Sequence, residues 1–258
     1  MIPPRWDAHE EGGGETLPSS VGHFPLAAGA WPFRLREDKE ALASSWHDPV
    51  MTFPSFYDAA PRLVVFDPLS TFLGAAEDGL LEYGYADAVR LAGHSCPTVA
   101  GAYLMTVRSL ERLYPDEVPE RGAVAVSVRE AAAEGVAGVM ASVATLLTGA
   151  TENTGFKGIA GRFDRRNLLT FRVGIQGTIA FVRTDTGAGV QATLDSGVVP
   201  VDPAMPGLLQ RLLSQAASPD EAAQFRTLWQ ERVRRMLVDH ADDPRLVRLA
   251  AWNGRPDA

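Results

Sequence analysis

The chain carries one cysteine, Cys96, in 258 residues. That count removes every fold stapled by intrachain disulfides. It also removes Cys-x-x-Cys redox pairs, and any zinc ribbon or treble clef built from this chain alone. Stability must come from a hydrophobic core, and 258 residues with 46% apolar content are enough to bury one, as one large domain or two small ones. The cysteine also marks the chemistry. It stands in Gly93-His94-Ser95-Cys96-Pro97, where an imidazole and a thiol lie two residues apart. In an extended or turn segment such residues point to one side of the backbone, so both can reach one ion.

Periodicity puts the motif at the start of a helix. Pro97 through Leu113 has Val99, Ala102, Tyr103, Thr106, Leu110 and Leu113 at helical spacing, with Pro97 in the first turn, where no intrahelical N–H bond is lost. Asp87–Leu91 reads as a helix or turn leading in. Strands are expected at Arg62–Phe66, Ala123–Val128, Leu168–Val173, Thr178–Arg183 and Gln191–Leu194, and a second helix over Gly135–Leu147. The end reads as helical at 205–217, 219–239 and 244–252, the second opening on Ser218-Pro219-Asp220-Glu221 with a cap, a first-turn proline and acids. These elements predict an α+β fold, a mainly antiparallel sheet packed with helices plus a helical C-terminal extension. The expected divisions are 1–60, an arm of loops with one short helix near Glu37–Trp46; 61–200, the α+β core; and 201–258, the extension.

Against 24 Lys and Arg stand 32 Asp and Glu, a net charge of −8, and no basic stripe interrupts that balance, so nucleic acid is not an expected partner. No apolar run approaches the roughly 20 residues that span a bilayer. The start, Met1-Ile2-Pro3-Pro4-Arg5, lacks the basic-then-apolar pattern of a signal peptide, which makes the cytoplasm the expected location and excludes a membrane partner.

A thiolate and a neutral imidazole suit zinc, iron or copper better than magnesium or calcium. A helix N-terminus adds partial positive charge and free N–H groups, which suit a thiolate. The same pair also fits a nucleophile and its base, with Cys96 attacking. Beside both stands a purely structural reading, since cysteine is a common small buried residue. Two protein ligands rarely hold a transition metal, so a third group is implied. His47, in Trp46-His47-Asp48-Pro49, is the leading candidate, and Glu130 and Glu134 follow the central strand as candidate ligand or general base. Asn153 and Lys157, in a Gly-rich loop, are candidates to contact an anionic substrate or cofactor, the alternative being that they simply face water. That loop is no phosphate loop, because no Ser or Thr follows the lysine. Cys96-Pro97 also matches the dipeptide found where a thiolate ligates haem iron, so a haem sensor or carrier using Cys96 or His94 as axial ligand is the alternative. A non-catalytic partner-binding domain is the third reading.

The stretch Leu91-Ala92-Gly93-His94-Ser95-Cys96-Pro97-Thr98-Val99-Ala100-Gly101-Ala102-Tyr103 resembles the FmdE family, named for formylmethanofuran dehydrogenase, which carries Gly-His-x-Cys-Pro before a helix with a glycine and an aromatic at the positions of Gly101 and Tyr103. The similarity extends over roughly 80–195, through Thr148-Gly149 and Gly155-Phe156-Lys157-Gly158. It implies an α+β core, a homodimer, a metal held near the motif in a cleft, zinc first and iron second, and a small-molecule ligand or substrate. It carries across His94 and Cys96, and more loosely Gly149, Lys157 and Gly158. The family has a cysteine after Thr-Gly where this chain has Ala150. It has an Asp and a Gln on the second helix where Ser142 and Thr145 stand here. The C-terminal zinc module of many members cannot form with one cysteine.

Overall fold

The computed structural model describes residues 52–254, and the short helix expected near Glu37–Trp46 lies outside them. A 3-10 turn, Ser55–Ala59, leads into strand β1 (Leu63–Phe66), whose β-branched and aromatic residues favour extension. Asp67 and Pro68 end the strand and start helix α1 (Pro68–Leu73). Asp67 Oδ1 accepts from Leu69 N at 2.9 Å and Ser70 N at 3.2 Å, and the proline occupies the first turn. Strand β2 (Leu80–Tyr83) returns antiparallel to β1, with Leu63 opposite Tyr83. The sequence announces neither α1 nor β2, because six and four residues are too few to display a period.

Helices α2 (Tyr85–Ala92) and α3 (Pro97–Leu113) follow, separated by the motif. The second has the bounds its sequence predicts. It is buried from Val99 to Val107 without a break, so it forms the centre of the fold rather than one amphipathic layer. Gly101 is what lets it sit there, since a Cβ at that position would lie 2.2 Å from Leu194 Cδ2.

Strand β3 (Val124–Val128) and helix α4 (Ala137–Thr148) come next, then strands β4 (Leu169–Thr170), β5 (Ile179–Arg183) and β6 (Gly189–Leu194). Helices α5 (Met205–Leu213) and α6 (Pro219–Arg234) pack on each other. The second opens on a capping box between Ser218 and Glu221 and runs on as a π turn, Arg235–Asp239. Strand β7 (Val247–Ala251) completes a sheet ordered β4-β3-β5-β6-β7. In it β3 and β4 run parallel and every other pairing is antiparallel. α3 packs across β5, β6 and β7, α4 packs on β3, and the two helices pack on each other. The fold is α+β, with a mainly antiparallel sheet and a helical C-terminal region.

Two local expectations are corrected. The segment 244–252 holds a strand instead of a helix, and β7 pairs with β6 from Val190↔Ala251 to Leu194↔Val247. Leu, Arg and Ala there have good helix propensity, but pairing along an open sheet edge overrides a preference of a few tenths of a kcal/mol per residue (about 0.2–0.5). The strand expected over Leu168–Val173 shortens to Leu169–Thr170, because Asn167 and Arg172 take positive φ, +58° and +60°, on either side. No helix among the described residues is long and apolar enough to cross a membrane.

Candidate functional site

The motif is the link between α2 and α3. Gly93 ends α2 in the left-handed region, φ +73°, with its N–H on Val89 O at 2.8 Å. Cys96 then caps α3 in an extended conformation, φ −154° and ψ 168°, and its sulfur accepts from Val99 N at 3.4 Å. Between these points His94 folds back, so that Nδ1 lies 2.9 Å from Ala92 O and Nε2 lies 3.3 Å from Cys96 Sγ. A carbonyl only accepts, so Nδ1 carries the proton and the Nε2 lone pair faces the sulfur.

These contacts allow two chemistries. As a free pair, the thiol donates to Nε2 and the imidazole is placed to act as its base. As ligands, Nε2 and Sγ bite on one ion. Zinc bonds of roughly 2.0 Å to nitrogen and 2.3 Å to sulfur at a tetrahedral angle separate the two donors by about 3.5 Å, within a few tenths of an ångström of the 3.3 Å observed. A ring nitrogen donating to a backbone carbonyl is also how ligating histidines are held. Cys96 is 9% exposed and His94 is exposed, so the ion side opens to the surface. Among the described residues no third His, Cys, Asp or Glu joins the pair. Nε2 and Sγ lie on one side of the backbone, whereas two axial ligands of a haem iron lie on opposite faces of the ring, so the pair together is not a haem ligand set.

Ser95 faces the other way, and the sequence gives no sign of what holds it. Its carbonyl accepts from Trp229 Nε1 at 2.9 Å, and its hydroxyl lies 3.1 Å from Gln230 Oε1 and 3.0 Å from Tyr85 OH. Tyr57 OH also reaches Gln230 Oε1, at 3.5 Å. Burial pushes the Tyr85 phenol up, outweighing the Ser95 hydrogen bond, and burial raises Tyr57 against the same opposing bond. Both phenols therefore stay donors. Tyr57, Tyr85 and Tyr103 stack edge-on behind the motif, with centroids 4.9 and 5.7 Å apart. Tyr103 OH donates to Pro61 O at 2.6 Å, which accounts for the aromatic at that position.

A cavity of about 430 Å³ has Leu91, three residues before His94, in its lining. Ser142 and Thr145 of α4 line it together with Arg121, Glu152, Leu169 and Phe171. One wall rests on a buried ion network. Arg121 gives Nε and Nη2 to Leu146 O at 3.3 and 3.1 Å and Nη1 to Asp67 Oδ2 at 3.0 Å, while Arg165 Nη2 reaches Asp67 Oδ1 at 2.7 Å. Asp67 and Arg165 are 3% and 5% exposed. Burial pushes the Asp67 carboxyl up, but the Arg121 hydrogen bond, the Arg165 charge and the Ser70 N–H outweigh it and hold it below the usual carboxylate range. Gly122, at φ +96°, leaves room for the Arg165 guanidinium, which a Cβ would meet at 1.4 Å.

Among the described residues, neither Glu130 nor Glu134 joins the pair in a group that could hold a metal. Glu134 is exposed, and its Oε2 accepts from Ala131 N at 3.3 Å within its own turn. Glu130 is held by Arg129 at 2.7 and 3.0 Å. Asn153 and Lys157 are exposed on the loop after α4. Ala150 is fully buried. His47 lies outside the described residues.

The family model described as FmdE, molybdenum formylmethanofuran dehydrogenase operon, matches residues 91–243, more than half of the chain and the whole span from the motif to the π turn. Among solved structures, the chain is similar to a tungsten formylmethanofuran dehydrogenase FmdE-like protein from Syntrophus aciditrophicus, at 17% identity and a TM-score of 0.36, covering 67% of this chain and 74% of that one. No curated protein matches.

Proposed function

The chain belongs to the FmdE family, and on that premise we propose that it is a metal-binding protein in which His94 and Cys96 hold one transition-metal ion beside a small-molecule cavity. The family takes its description from the operon of a molybdenum enzyme, a metal-related setting. The observation that carries the reading is the 3.3 Å approach of Nε2 to Sγ, with Nδ1 tied to Ala92 O. A borderline-soft nitrogen and sulfur donor set favours zinc first and iron second. Such an ion would supply a Lewis acid or an activated water. The residues of this chain do the rest: Arg121, Ser142, Thr145 and Glu152 offer the polar groups that orient a ligand, and Leu169 and Phe171 keep one side apolar.

Two side chains leave the coordination sphere open, so a third ligand is required. His47 is the chain's own candidate, and a second copy in a homodimer or the ligand itself are the other sources. Location in the cytoplasm fits a reduced thiol. The haem reading uses one axial ligand, Cys96 or His94, and differs in its optical signature.

Elemental analysis of full-length protein grown with added zinc and iron tests the proposal. About one metal per chain is expected, falling below about a tenth in H94A and C96A, with no Soret band before or after haem is added. Metal-free parent protein, or metal content in the two variants equal to the parent's, contradicts it. A Soret band lost in C96A moves the assignment to haem.

A further inference from the structure

The middle residue of a His-x-Cys segment faces away from the two that flank it, so its anchorage sets the aim of both without occupying the side they use. Here that anchorage comes from the C-terminal region. Two adjacent residues of α6 grip Ser95, Trp229 through the backbone carbonyl at 2.9 Å and Gln230 through the hydroxyl at 3.1 Å, across more than 130 positions of chain. The donors follow one order. Gln230 Oε1 only accepts, so Ser95 gives it its proton, and the Tyr85 hydroxyl donates to the Ser95 lone pair at 3.0 Å. Tyr57 supplies a further proton to Gln230 Oε1. α2 fixes one end of the link and α3 the other. Trp229 and Gln230 are thus the contacts that fix the peptide between those ends from outside α2 and α3.

We infer that Trp229 and Gln230 are positioning residues of the His94–Cys96 pair, acting through Ser95. This rests on the metal-binding reading, and it makes metal affinity a property of α6 as well as of the motif. Neither residue is a ligand.

The test is a Co(II) titration of full-length protein, following the thiolate-to-cobalt absorption band, on the parent and on W229F, Q230L and Q230E, with thermal midpoints measured alongside. Q230E keeps the acceptor oxygen, whereas Q230L removes it at similar size. W229F and Q230L are expected to weaken cobalt binding about 10-fold or more, the usual cost of losing a residue that orients a ligand, and Q230E is expected to match the parent. Unchanged affinity in both W229F and Q230L overturns the inference. So does a loss in Q230E as large as in Q230L. A parent without the band marks failure of the metal reading itself. The grip is then read from the rate at which iodoacetamide alkylates Cys96 at one fixed pH. That rate should change in Q230L and return to the parent value in Q230E, and equal rates in all four proteins overturn the inference.

Discussion

At Gly101 a missing methyl group decides how closely the central helix meets the sheet. The Leu194 side chain occupies the space a Cβ would need, at 2.2 Å. Alanine there gains about 1 kcal/mol of helix propensity, but the overlap in a packed core costs about 1–3 kcal/mol. Gly101→Ala is therefore expected to lower the urea midpoint with the slope unchanged, and a raised midpoint contradicts this packing. At this scale the sequence was informative where neighbours in the chain do the chemistry. His94 and Cys96 could be read from spacing because both act through residues within three positions, Ala92 and Val99. Ser95 could not, because its partners Trp229 and Gln230 belong to a helix that the motif meets only after folding.

Between elements, the Asp67 network ties the β1–α1 corner, the approach to β3, the end of α4 and the loop after it into the wall of the cavity. Removing the charge leaves Arg165, nearly fully buried, without its ion partner. Asp67→Asn is expected to destabilise the fold by about 3–5 kcal/mol. The pH dependence has a definite sign. Because the folded-state pKa lies below the ordinary value of about 3.9, the stabilisation is complete above that value and is lost as pH falls through the lower folded one. Urea midpoints of the parent should therefore fall more steeply below about pH 4 than those of Asp67→Asn. Parallel acid limbs contradict the assignment. The end of a strand at Phe66, just before Asp67, was legible. The role of Asp67 as the centre of an ion network was not, since Arg121 and Arg165 lie 54 and 98 positions away.

For the whole molecule, the α+β class and the long helix at the motif followed from local signals: periodicity, capping residues and Pro97. What escaped was set by pairing between distant segments. β7 has helix-forming residues and becomes a strand because β6 offers it an edge. Ser142 and Thr145 were placed on the second helix by resemblance, and the fold turns both toward the cavity. The central claim is that one ion sits between His94 and Cys96, and zinc-edge X-ray absorption on zinc-loaded full-length protein tests it most directly. One sulfur neighbour at about 2.3 Å and at least one imidazole nitrogen at about 2.0–2.1 Å are expected, with the sulfur absent in C96S. A coordination shell of nitrogen and oxygen alone, identical in the parent and in C96S, would contradict it.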